Sequence, residues 1–348
     1  TAVQKGPFAV TRGNMFAGAG TASYGYYMGG LTDGGTITSR VDRVDYSNDT
    51  ATAASKGPLD IVRKYHATTG NASYGYNAGG GPGPLSSTSR LDYSSDTSTA
   101  SPKGPLTATR YSPMATSSRV YGMPTTDYIT AANIINPDSE TGSGYWAHQY
   151  DSTFDWNSQY NSPAGPAYGY DGGGQYPAQS PSQASTLDRI DYSNDTATAV
   201  LKGKLSQSRT RDPGATGNAS YGYWGGGSST GGAPIYSIVD RLDYSSDTTT
   251  AAVKGPLTSA RYRFVATGNA SYGYWAGGDP GPVSSVDRVD YSNDTATAAA
   301  KGPLTSVRKF MAATGNASYG YFAGGESPTV STVDRVDYSS DTPTMSPK

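Results

Sequence analysis

The chain has 348 residues, a formal net charge of −2, 45 Gly, 29 Tyr and no Cys. Hydrophobic residues make up 35% and charged residues 16%, below the roughly 45–50% and 25% of an ordinary globular domain; Gly, Ser, Thr, Asp and Tyr fill the difference and suit short strands joined by tight turns. This excludes a disulfide framework, Cys-ligated zinc and a thiol nucleophile, gives nucleic acid no basic footing, and leaves no run of about 18 apolar residues to span a membrane.

The chain opens on Thr1-Ala2-Val3-Gln4-Lys5-Gly6-Pro7, and Lys-Gly returns at Lys56, Lys103, Lys202, Lys254 and Lys301, followed in most copies by Pro-Leu and, further on, an Arg. Next comes Ser-Tyr-Gly-Tyr-x-x-Gly-Gly, whose first Tyr stands at Tyr24, Tyr74, Tyr221, Tyr272 and Tyr319, with a weaker copy at Tyr168. Alternation places Tyr272, Tyr274 and Ala276 on one strand face and Gly273, Trp275 and Gly277 on the other. Glycines inside a strand mark close approach of another backbone. The third element is Val-Asp-Arg-Val-Asp-Tyr-Ser-Asn-Asp-Thr, at 41–50 and 286–295 with variants elsewhere. It reads as a strand closed by a polar turn, with neighbours such as Asp287 and Arg288 forming local charge pairs.

The 94 residues between Tyr74 and Tyr168 divide into two intervals of 47, and Tyr121-Gly122-Met123 stands where a degenerate copy is expected. Seven units of about 49 residues then account for nearly the whole chain. Each supplies about four short strands, which describes a propeller blade. A double glycine after an aromatic strand, then an apolar-x-apolar strand with a polar turn, then Pro-Leu and Arg, resembles the kelch repeat. The expected fold is an all-β, seven-bladed kelch-like β-propeller of four-stranded antiparallel blades, one domain over 1–348 with a divergent blade at about 111–166. The N-terminal piece has the register of the third piece of a unit, so the N-terminal strand is expected to complete the last blade and close the ring, which removes exposed edges.

Little in the repeat suggests catalysis. The two histidines, His66 and His148, lie in different units, and His66 reads as a solvated loop residue. The only glutamates are Glu140 and Glu326. Nearly all Asp residues follow the repeat, and a residue present in every blade is more simply structural. The Ser-Asn-Asp-Thr turns lack the dense acidic spacing of a calcium loop, and Gly225–Gly227 is not followed by the Lys-Ser/Thr of a phosphate loop. No cofactor or metal is expected. The repeated Asn-x-Ser/Thr sites read as turns between strands.

The repeat fails between Tyr111 and Pro166. Within that stretch lie Trp146, His148, Tyr150, Phe154, Trp156 and Tyr160, accompanied by Asn, Gln and Asp. Such clusters stack on sugar rings or anchor protein partners, and these six are the candidate contact residues. The wording Gly-Asn-Ala-Ser-Tyr-Gly-Tyr, Val-Asp-Arg-Val-Asp-Tyr-Ser and Lys-Gly-Pro-Leu resembles repeats in structural proteins of marine bacteriophages, cyanophages included. The resemblance implies a non-catalytic structural or adhesive protein of a virion or tail fibre, extracellular in setting. Its partners would be other virion or fibre proteins and a host-surface glycan. The alternative is a secreted lectin-like propeller.

Overall fold

A computed structural model describes residues 2–13, 17–117, 168–174, 184–210, 213–229, 233–326 and 329–341. These residues form six four-stranded antiparallel sheets and no α-helix. The first blade runs from its inner strand Ala17–Gly20 through Tyr24–Met28 and Val41–Asp45 to its outer strand Ala54–Lys56. Five further blades repeat this order. Their inner strands are Ala67–Gly70, Met114–Ser117, Gly214–Gly217, Val265–Gly268 and Ala312–Gly315. Each inner strand packs against the next, and the sixth returns to the first, so the sheets close a ring. The sixth blade takes Val3–Lys5 as its outer strand, with Val3, Gln4 and Lys5 opposite Arg335, Asp334 and Val333.

The count corrects the seven blades expected from the repeat spacing. The inner strand Met114–Ser117 pairs with Tyr168–Gly172 as a neighbour within one blade. The same inner strand contacts both Ala67–Gly70 and Gly214–Gly217. The long interval is therefore one blade in which residues 118–167 are inserted between the inner and second strands. Ser117 fits this reading. The other blades carry Gly there, where a Cβ would collide with the carbonyl of the Tyr that follows the tight turn.

The repeated residues are explained at the seams between blades. Each third-to-outer turn contributes one buried Asp: Asp49, Asp96, Asp195, Asp247, Asp294 or Asp341. Each receives three donors from the preceding blade. Asp294, for example, accepts from the Tyr223 hydroxyl at 2.9 Å and Arg241 at 2.7 Å, and pairs with Lys254 at 3.1 Å. The pattern holds at the closing seam, where Tyr321, Arg335 and Lys5 converge on Asp49. So Arg288 pairs with Asp341 of the next blade, while Asp287 faces Arg261; the local Asp287–Arg288 pair is not formed, because adjacent strand residues point to opposite faces.

The tyrosines add a second layer. The Tyr of each Asp-Tyr-Ser stacks on the second Tyr of the preceding blade's Ser-Tyr-Gly-Tyr, as in Tyr291 on Tyr223 with ring centroids 4.5 Å apart. Such a pair contributes about 0.5–1.5 kcal/mol beyond its buried area. The same Arg that reaches the buried Asp lies over the first Tyr of its own blade, as Arg241 over Tyr221 at 4.4 Å. The glycine of Lys-Gly-Pro is needed where the outer strand grazes the next blade. A Cβ at Gly255 would strike the Ala296 carbonyl, while the Gly255 amide donates to the Asp294 carbonyl at 2.8 Å.

Two outcomes are expected. Asp294→Ala strands a hydroxyl, a guanidinium and an ammonium, and should lower stability by roughly 2–4 kcal/mol in denaturant titrations, toward the lower range for a broken buried pair because Arg241 is part-exposed. Burial works against ionisation of Asp96, Asp195 and Asp341, yet their Lys, Tyr and Arg partners outweigh it and hold each below the ordinary 3.8. Their contribution is present above that value and is lost as pH falls through the lowered folded values, so the melting temperature should drop steeply below about pH 4.

Candidate functional site at the channel mouth

Antiparallel order gives the ring two different faces. Connectors from each outer strand to the next inner strand share one face with the loops between second and third strands. The tight turns after the inner strands and the Ser-Asn-Asp turns share the other.

The inner strands enclose a central channel. Its waist is lined by small residues, Gly18, Thr68, Ala115, Ala215, Ala266 and Ala313, and its cavity volume is about 140 Å³. The channel opens on the connector face between Tyr65, Arg263 and Phe310, which border the cavity.

Six arginines hold the connectors in place. Arg12, Arg63, Arg110, Arg209, Arg261 and Arg308 are all buried. Five of them pair with the second residue-type of the Val-Asp-Arg strand: Arg12 with Asp42 at 2.6 Å, Arg110 with Asp188 at 2.9 Å, Arg209 with Asp240 at 2.7 Å, Arg261 with Asp287 at 2.6 Å, and Arg308 with Asp334. In most blades a hydroxyl from the connector takes the other carboxylate oxygen, as Thr258 does on Asp287 at 2.7 Å. The second blade exchanges these partners. Ser89 replaces the Asp and Asp60 replaces the Thr; Arg63 donates to Ser87 and Ser89, and Ser89 donates to Asp60. In the first blade Ala9 supplies no hydroxyl, and Arg40 bonds Asp42 at 2.9 Å instead.

Immediately after each pinned Arg the repeat breaks down. The sequences there are Lys64-Tyr65-His66, Tyr111-Ser112-Pro113, Tyr262-Arg263-Phe264 and Lys309-Phe310-Met311. Tyr65, Ser112, Arg263 and Phe310 sit at φ 56°, 49°, 59° and 55°, a left-handed conformation that bulky side chains rarely adopt. Neighbouring hydrogen bonds hold them there: Ser112 N–H donates to the Tyr65 carbonyl and Phe310 N–H to that of Arg263, both at 3.0 Å. Arg263 stacks over Phe310 at 4.5 Å and pairs with Asp279 at 3.1 Å; Lys309 reaches the same carboxylate at 3.2 Å. Tyr65 meets Tyr111 edge-on at 5.7 Å, with Lys64 over its ring at 5.2 Å. The mouth thus combines flat aromatic surface with a positioned guanidinium, a combination suited to stacking and to binding carboxylate or hydroxyl groups.

His66 departs from the sequence reading. It is not a solvated loop residue but is buried at 6% exposure, against the channel cavity. Its place in the connector corresponds to Phe264 and Met311, which turn inward. Burial first, then the charges of Arg63 and Arg12, pull its pKa down to about 3. It is a neutral imidazole at physiological pH.

The six aromatic and histidine candidates, Trp146, His148, Tyr150, Phe154, Trp156 and Tyr160, lie outside the described residues, as does Glu140. The strands that bracket their segment end at Ser117 and begin at Tyr168, on the turn face, opposite the channel mouth. Tyr65, Arg263 and Phe310 were not singled out from sequence; the available signal was the run of unlike triplets after an otherwise constant Arg. Among the described residues no three His, Asp or Glu side chains are grouped to hold a metal ion, and no helix is long and apolar enough to cross a membrane.

No family model matches the chain, and no curated protein matches it. Its fold is similar to the solved structure of YjhT, with a TM-score of 0.68 over 97% of this chain and 98% of that one, at 10% sequence identity. Identity that low supports the likeness of fold alone: this chain is a β-propeller.

A pH test follows from His66. The folded state resists the proton that the unfolded chain accepts below about 6.5, so stability is lost as pH falls from there toward about 3. His66→Met, which copies the sixth blade, should flatten that part of the stability–pH curve and leave the variant more stable than wild type at pH 4 by denaturant titration.

Proposed function

We propose that this kelch-like ring is a non-catalytic structural or adhesive protein, a component of a bacteriophage virion or tail fibre that contacts other virion proteins or a host surface. The observation that carries this reading is the use made of the repeated charges. The Asp, Arg and Lys of each blade are committed to seams and pins that hold the ring together, and His66 is buried and neutral. The repeated ionisable groups thus serve the frame, and recognition falls to the parts that depart from the repeat. The inserted segment 118–167, with Trp146 and Trp156, is the first of these.

A second reading has its own support at the channel mouth. Arg263, stacked on the buried Phe310, and Tyr65, which borders the same cavity from another blade, offer the fork of donors and the aromatic ring that a lectin-like site uses. The two readings separate on a glycan array probed with wild type, Trp146→Ala/Trp156→Ala and Arg263→Ala. Binding lost only in the double variant places recognition on the insertion. Binding lost only in Arg263→Ala, by tenfold or more, places it at the mouth. Absence of glycan binding, with the chain found in purified particles by mass spectrometry, is the outcome expected of a purely structural role; absence from such particles would refute the virion assignment.

A further inference from the structure

One buried position differs in chemistry between the third blade and its five counterparts. The fourth residue of the second strand is Tyr27, Asn77, Trp224, Trp275 or Phe322 elsewhere, and Asp171 in the third blade. This position fills the seam with the preceding blade. Trp275 donates its indole N–H to the Gly214 carbonyl at 3.1 Å and sits over Gly225; Trp224 sits over Gly172. Phe322 packs with Ala276 and Tyr27 with Ala323, and Asn77 bonds the Met28 sulfur at 3.0 Å. Each seam therefore joins a large residue to a small one or a long one to an amide. At the seam between blades two and three the corresponding residues are Asp171 and Ala78, both short.

Asp171 is fully buried, and neither carboxyl oxygen has a hydrogen-bond partner among the described residues. Directly opposite it on the third strand is Asp188, also fully buried. Asp188 already accepts from Arg110 at 2.9 Å and Thr107 at 2.7 Å. Arg110 and Asp188 are the charged groups that act on Asp171, one favouring its ionisation and one opposing it. The inner-strand neighbour Ala115 adds no charge. Across the seam, Ala67–Gly70 and Tyr74–Ala78 carry no charged side chain, while Arg90 and Tyr76 are committed to Asp195. The third strand of the second blade adds Thr88, opposite Ala78, whose buried hydroxyl also lacks a partner among the described residues. It carries no charge, so an ionised carboxylate here would have a second carboxylate beside it and no established hydrogen bond, which a buried site does not sustain.

We propose that Asp171 is held as the neutral acid and makes the seam between the second and third blades a proton-dependent joint, closed while the carboxyl keeps its proton and loosened when it ionises. The joint lies in the blade whose inner and second strands bracket residues 118–167. The proposal does not depend on what the segment binds. Burial, the first cause, raises the group's pKa well above 3.8. The sign follows: the folded state keeps a proton that the unfolded chain releases above the ordinary carboxylate range, so wild-type stability declines as pH rises until Asp171 ionises in the folded state.

The test compares wild type with Asp171→Asn by denaturant titration from pH 5 to pH 10. The folding equilibrium constant of the variant relative to wild type should rise by up to about tenfold per pH unit and then level off. A ratio constant across this range overturns the proposal. Should the variant fail to fold, infrared spectroscopy of wild type at neutral pH decides: the carbonyl band of a protonated carboxyl supports the joint, and its absence refutes it. Amide hydrogen exchange supplies the location. Corrected for intrinsic rates, protection over Ala67–Gly70 and Tyr168–Gly172 should fall at alkaline pH before that of the other seams; uniform loss around the ring would also count against a local joint.

Discussion

The ring depends on one arrangement made six times: a buried Asp in the turn of one blade, gathering a Tyr, an Arg and a Lys from the blade before it. A propeller blade cannot bury both faces alone, and with 35% hydrophobic residues this chain has limited apolar surface to do so. The seams substitute stacked tyrosines and paired charges. A buried ion pair is stabilising only when its remaining bonds are satisfied, and here both carboxylate oxygens are taken. The glycines follow from the same demand, since outer strand and neighbouring turn meet at a spacing that excludes a side chain.

The pinned arginines show how firmly that satisfaction is required. Where the second blade loses the Asp it gains Asp60 on the connector; where the first blade loses the hydroxyl it gains Arg40. The charge moves, but the buried Arg keeps polar partners in each case. Against this background, departures without compensation stand out. The unpartnered Asp171 is of this kind, whereas the left-handed residue two positions after the pinned Arg recurs in all four described connectors. Local strain or an unsatisfied polar group in an otherwise consistent frame points to function.

Much of the blade was legible in the chain. Period-two alternation and turn residues marked the strands, and the register of the first residues anticipated Val3–Lys5 as an outer strand. Charge partners were not legible. Asp287 and Arg288 are adjacent in sequence, yet each finds its partner elsewhere, at Arg261 and Asp341. His66 looked like a solvated loop residue because polar residues on loops commonly are, and only the packing of its connector over the channel turns it inward.

By itself the sequence determined the unit: a four-stranded antiparallel blade, its glycines, its polar turns and its repetition, because these depend on local backbone preference and side-chain alternation. Tertiary structure alone decided the number of units and the identity of every partner. An interval of 94 residues is compatible with two blades or with one blade and an insertion, and only the pairing of Met114–Ser117 with Tyr168–Gly172 separates them. The seam partners come from adjacent repeats, and for Arg335 and Asp49 from opposite ends of the chain. No local pattern carries that information; closure of the ring does.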